Sequence, residues 1–75
     1  MDMSQIEKYE KLGLNIAYYR HMRKMTQEQL SEKADIDRTH LSNIELANSA
    51  ASLDVIFHLS DALQVPVSKL FEFRD

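Results

Sequence analysis

The sequence predicts an all-α protein, a compact bundle of about five short helices with a helix-turn-helix near its middle. Three observations lead there. The 75 residues include one glycine and one proline against a 44% hydrophobic content, so few positions interrupt a helix and enough apolar side chains exist for one small core. Apolar residues recur at helical spacing along most of the chain. Two short segments, each opened by a helix-capping residue, flank a turn of only a few residues.

A first helix runs from about Ile6 or Leu12 to Lys24, with Leu12, Ile16 and Tyr19 on one face and Gly13 weakening its opening turns. Residues 1–11 read as an N-terminal extension of that helix and residues 12–73 as the domain proper. Met22 and Met25, adaptable in shape, fill the core beside the next helix. Thr26-Gln27-Glu28-Gln29 has the form of a capping box, which places helix two at about Gln27 to Ala34 with Leu30 and Ala34 inward. Only Asp35 and Ile36 separate Ala34 from Asp37, another N-cap residue type, so helix three follows at about Arg38 to Leu46. The helix-turn-helix unit is therefore about residues 26–46. A polar, small-residue stretch from Ala47 to Ala51 leads to Ser52, the cap of helix four. That helix turns Leu53, Ile56, Leu59 and Leu63 inward and has Asp54 at the favourable end of its dipole. Val65-Pro66 stops it, and a last short helix runs from about Val67 to Phe71.

Helix three carries the chemistry. At about 100° per residue, Leu41 and Ile44 point inward while Arg38, Thr39, Ser42 and Asn43 fan over the opposite side. Arg can bond a guanine edge bidentately and Asn an adenine edge; Thr offers a hydroxyl and a methyl, and the Ser hydroxyl suits either kind of edge. These four are candidate base readers on a helix laid in the major groove of double-stranded DNA, with His40 on the flank. In such a pair the preceding helix crosses the phosphate backbone.

The set Arg20, Thr26-Gln27-Glu28-Gln29-Leu30, the run from Ile36 to Glu45, Ser52-Leu53 and Ala62-Leu63-Gln64-Val65 resembles the Cro and phage-repressor type of helix-turn-helix regulator, the Xre-like family, from about Leu12 to Phe71. Within that family, Asp37-Arg38-Thr39 followed by His40, Leu41 and Ser42 is similar to controller proteins of restriction-modification systems, a narrower likeness resting on one helix. The resemblance implies a lambda-repressor-like DNA-binding domain in a transcriptional regulator that acts as a homodimer on an inverted-repeat operator. It implies that Glu45 pairs with Arg20 and ties helix three to helix one; the residues alone also allow an exposed, loosely held Glu. It implies that Gln27 contacts a phosphate and steadies the recognition helix, where the residue alone is equally a good first-turn helix former. Thr26 and Asn48 join Gln27 as contacts to the DNA backbone. Leu70, Phe71 and Phe73 crowd the C-terminus, which in the family helps form the dimer; a satellite cluster against helix one is the other reading.

The departures from the family pattern concern binding. The family's basic loop after the Glu is replaced by Leu46-Ala47-Asn48-Ser49-Ala50-Ala51, and Leu46 itself could serve as a thymine-methyl contact, a partner surface, or reflect drift. Lys24, Asp35 and Gln64 stand where the family has glycine, and a left-handed backbone there costs about 1 kcal/mol each.

Nine basic against twelve acidic residues give a net charge of −3, whereas a polyanionic partner normally goes with a basic surplus. Distribution softens the discrepancy, since Arg20, Arg23, Lys24, Lys33 and Arg38 lie within or beside the helix-turn-helix. The acidic balance and the lost basic loop motivate a second reading, a protein-interaction module such as an antitoxin-like or anti-repressor partner with weak or no DNA binding. A second protein partner fits either reading. The absence of cysteine excludes a disulfide scaffold and a Cys-based zinc finger. The lack of a long apolar run and the polar opening Met1-Asp2-Met3-Ser4-Gln5 point to the cytoplasm and away from a membrane. His21, His40 and His58 fall on three helices without ligand spacing, and Asp37, His40 and Ser42 diverge on one helix. A single glycine cannot build a phosphate loop. No metal, no cofactor and no enzymatic activity are expected.

Overall fold

Apolar side chains three and four residues apart fold this chain into helices that each bury one stripe. The computed structural model describes residues 1–73. Among them all regular structure is helical: a 3-10 turn at Met3–Gln5, then α1 (Ile6–Met22), α2 (Gln27–Ala34), α3 (Arg38–Glu45), α4 (Leu53–Leu63) and α5 (Val67–Leu70). Gly13 does not delay α1. Its start is set further back, where Asp2 caps the 3-10 turn by accepting from the Ser4 amide at 2.9 Å and the Ser4 hydroxyl at 2.8 Å. Those two bonds, the hydroxyl's first, hold the Asp2 carboxyl below its ordinary range.

The core is one cluster in which Ile16 of α1, Leu30 of α2, Leu41 of α3, Ile56, Leu59 and Leu63 of α4 and Leu70 of α5 are fully buried. Each such side chain contributes about 1.5–3 kcal/mol through burial. Three expected core or surface assignments are corrected. Leu53 is 65% exposed, because it lies about a quarter turn round from the centre of the Ile56–Leu59–Leu63 stripe and nothing packs over the start of α4 there. Met22 is 58% exposed, a little over a quarter turn round α1 from the Leu12–Ile16 stripe, whereas Met25 packs against the core. Leu70, assigned above to a dimer surface, is 0% exposed and belongs to the core.

Helix ends are tied to one another by side chains that bond main-chain carbonyls. The Asn15 amide donates to Leu70 O at 3.0 Å and Glu72 O at 3.1 Å, clasping α1 to the segment after α5. Arg23 donates through Nε to Leu63 O at 2.8 Å and through a terminal nitrogen to Gln64 O at 3.1 Å, which satisfies the C-terminus of α4. His58 Nδ1 lies 3.1 Å from Ala34 O at the end of α2 and donates to it.

The helices α1 to α4 end in the same way. In each, two amides turn back to carbonyls three and five residues earlier: Lys24 to His21 and Met25 to Arg20, Asp35 to Glu32 and Ile36 to Ser31, Ala47 to Ile44 and Asn48 to Asn43, Gln64 to Asp61 and Val65 to Ser60. This is the Schellman pattern, and its first residue is left-handed. Lys24 (φ 56), Asp35 (φ 57), Ala47 (φ 59) and Gln64 (φ 58) hold those places without glycine. The three positions at which the resemblance expects glycine are therefore left-handed here, and Ala47, in the segment that replaces the basic loop, is a fourth. The following residues Met25, Ile36 and Val65 pack on the core as the motif favours, whereas Asn48 is exposed.

Candidate nucleic-acid interface

Asp37 starts α3 by accepting from the Thr39 amide at 3.1 Å, and Leu41, Ile44 and Glu45 occupy its buried side. The remaining residues follow one another round the other side at helical angles, in the order Arg38, Ser42, Thr39, Asn43, His40. Arg38 and Thr39 are exposed, and Ser42, Asn43 and His40 half-buried. Among the described residues, the side chains of Arg38, Thr39, Ser42 and Asn43 make no hydrogen bond within the protein, and they follow one another along one arc of the helix. Such an arc on an eight-residue helix fits the width of a major groove.

Two side chains brace this helix from behind through its own Glu45. Arg20 donates through Nε to Glu45 Oε2 at 2.8 Å and through a terminal nitrogen to Glu45 Oε1 at 3.0 Å, a fork on a carboxylate with both residues only 9% exposed. Its third nitrogen donates to Met25 O at 3.0 Å, in the turn that leads into α2. Gln27 Nε2 donates to the same Glu45 Oε1 at 3.1 Å. The polarity of this bond fixes how the Gln27 amide is turned. Its partner is a carboxylate, which only accepts, so Gln27 faces the recognition helix with its NH2 and not with its carbonyl. One amide hydrogen of Gln27 remains outside this bond.

Thr26 is partly committed. Its hydroxyl oxygen accepts from the Gln29 amide at 3.0 Å and its own amide donates to Gln29 Oε1 at 2.9 Å, completing a capping box. The hydroxyl hydrogen and the first-turn amides of α2 are what this end can offer to an anion. Asn48 is exposed just past α3, and beside it Leu46 is 66% exposed, facing Leu14 of α1 across a shallow hollow.

Two of the five cations placed near this surface are engaged elsewhere. Arg20 is inside the brace and Arg23 holds the end of α4, which leaves Lys24, Lys33 and Arg38 exposed. The C-terminal aromatics divide as well. Phe73 packs against the core and lines, with Phe71, Tyr9 and Leu12, an apolar cleft beside α1, while Phe71 keeps much of its ring in solvent.

The Helix-turn-helix family model matches residues 16–70, from the core of α1 through α5. The chain belongs to the helix-turn-helix family. This helix-turn-helix protein is 31% identical over 70 residues to the control protein C.SmaI of Serratia marcescens, across 93% of this chain and 77% of that protein. It is 37% identical over 59 residues to the immunity repressor protein of Bacillus phage phi105, across 79% of this chain; it spans 41% of that repressor. The crystal structure of the restriction-modification controller protein C.AhdI from Aeromonas hydrophila superposes with a TM-score of 0.85 at 26% identity, over 87% of this chain and 98% of that one. With these relatives, the chain is a DNA-binding transcriptional regulator of the helix-turn-helix type. Among the described residues no helix is long and apolar enough to cross a membrane, and no cluster of His, Asp or Glu is placed to hold a metal ion.

Proposed function

We propose that this regulator binds double-stranded DNA sequence-specifically, as a homodimer on an inverted repeat, in the manner of a restriction-modification controller. The observation that carries the proposal is the arc of Arg38, Thr39, Ser42 and Asn43 on a helix whose rear is clamped by Arg20, Glu45 and Gln27. Arg38 and Asn43 read base edges, Thr39 and Ser42 support them, and His40 flanks the groove. Gln27, with its remaining amide hydrogen, and Thr26 and Asn48 set the register on phosphates. Similarity to a control protein and a controller structure supports the narrower assignment. Two-fold symmetry follows from the need to engage two half-sites one helical turn apart. Phe71 supplies the apolar contact.

The scarcity of exposed cations near α3 favours one competing reading, a protein-interaction module on the same scaffold. Selection of duplexes from a randomised library at low salt separates the two. The regulator enriches an inverted repeat; the module retains no duplex.

A further inference from the structure

Glu45 is held by α1 at two places, and only one of them is a side-chain contact. The other is Gly13, buried in α1 two turns before Arg20. A Cβ built on Gly13 would stand 2.5 Å from Glu45 O, 2.6 Å from Ile44 O and 2.9 Å from the Glu45 carbonyl carbon. Ordinary carbon to oxygen approach is about 3.3–3.6 Å, so any larger residue requires the end of α3 to retreat by about 0.8–1 Å. These are main-chain atoms, which cannot turn aside as a side chain can. Ile44 O also accepts from Ala47 at 3.1 Å, so its movement disturbs the motif that ends α3.

We infer that Gly13 is a positioning residue for DNA reading: it seats the C-terminal end of the recognition helix directly on the α1 backbone and so sets the tilt at which Arg38 and Asn43 enter the groove. The seat and the Arg20 fork are about 10 Å apart along α1, and both fall on Glu45. The fork holds the helix by its carboxylate and the glycine by its main chain. The fork alone leaves tilt open, because a long side chain can follow a small rotation. The glycine closes that freedom. A shift of this size at one end is enough to break a bidentate bond, whose geometry tolerates only a few tenths of an ångström.

This inference rests on α3 being the base-reading helix, and its test separates the two claims. Gly13→Ala is made in a background carrying Lys24→Gly and Gln64→Gly, which relieve left-handed strain and offset the loss of stability. Ala62→Gly, a buried α4 change away from α3, serves in the same background as a control of similar destabilisation. Affinities for the library-selected duplex and a scrambled duplex are measured well below each melting temperature, and amide chemical shifts are recorded without DNA. Gly13→Ala should bind the selected duplex about 5- to 150-fold more weakly, the range for loss of one base-reading bond, with scrambled-duplex affinity changed by less than about twofold. Its amide shifts should move along α3, and those of α5 should stay. A Gly13→Ala protein with the discrimination and α3 shifts of the Ala62→Gly control overturns the inference, and so does failure to fold in the stabilised background, which makes Gly13 a requirement of the fold and not of reading. If the starting protein itself prefers no duplex, the reading role of α3 falls, while the α3 shifts still decide whether Gly13 seats it.

Discussion

Replacing Arg20 by Met tests the clamp on the recognition helix most directly. Met keeps the length of the stem that packs in the core and removes the guanidinium, with its two bonds to Glu45 and its bond to Met25 O. Glu45 is then left with a buried charge and one donor, Gln27. Breaking a buried pair in this way costs about 3–5 kcal/mol. A domain of 75 residues has a total stability of about 4–11 kcal/mol, so the loss is a large share of it. At about 4–8 °C per kcal/mol for a chain this small, melting should fall by about 12–40 °C. Glu45→Met should cost a similar amount, because the guanidinium loses its counter-charge. The double variant Arg20→Met/Glu45→Met buries no charge at all and should be no less stable than the worse single variant. Urea unfolding followed by circular dichroism on the four proteins gives the coupling. Additivity of the two single losses to within about 0.5 kcal/mol would refute the reasoning, since it would mean that the groups do not interact. On duplexes, both single variants should bind in proportion to their folded fraction, because neither side chain faces the groove.

The other predictions concern strain, readout and charge. Lys24→Gly, Ala47→Gly and Gln64→Gly should each raise stability by about 1 kcal/mol in denaturant titrations, and Asp35→Gly by less, because Asp tolerates the left-handed region better; a loss at all four would show that the turns are not strained. Arg38→Ala and Asn43→Ala should each weaken the selected duplex by about 1–3 kcal/mol and leave scrambled duplex nearly unchanged, and equal losses on both would remove these residues as readers. Phe71→Glu should shift sedimentation toward the monomer and leave far-ultraviolet circular dichroism unaltered; an unchanged sedimentation coefficient would place the dimer contact elsewhere. The slope of log affinity against log salt should correspond to about three to six phosphates per dimer, below the six to ten of more basic repressors, with a steeper slope showing that further cations reach the backbone.

Element types were readable in the middle of the chain because α2, α3 and α4 each start on a capping side chain: Thr26, Asp37 and Ser52 all accept from an amide of the first turn. Stripes in mid-helix were readable too, as with Leu12 and Ile16 or Leu41 and Ile44. Periodicity failed at helix ends, where Leu53 and Met22 fit the spacing but have no neighbour to cover them. It also failed for Leu70, whose apolar company suggested a surface patch although α5 folds it inward. The bonds of Asn15, Arg23 and His58 to distant carbonyls left no mark in the sequence, because a carbonyl has no residue identity. Gly13 did leave one. A lone glycine next to the buried face of an otherwise regular helix signals a close backbone approach, and the reading of it as a weak spot in α1 looked only along the helix and not across it.

The placement of that glycine and of the arginines follows one physical distinction, between costs a side chain can absorb and costs it cannot. Four turns take a left-handed residue without glycine, at about 1 kcal/mol each, since Lys, Asp, Ala and Gln can all enter that conformation under strain. Against the carbonyls of Ile44 and Glu45 no such compromise exists, because a Cβ has a fixed position on its backbone. The single glycine of the chain stands there. Arginine is used similarly. Two guanidiniums near the helix-turn-helix bond protein groups, Arg20 forking a buried carboxylate and the exposed Arg23 closing the end of α4, where a flexible ammonium could not make the paired bonds that a planar fork makes. Arg20 is thus committed to holding α3 and Arg23 to closing α4. On the proposed reading, a regulator built this way gains little affinity from counterion release and depends more on the fit of Arg38 and Asn43 to bases, so its affinity for the selected duplex should fall less with rising salt than that of a regulator with a basic loop.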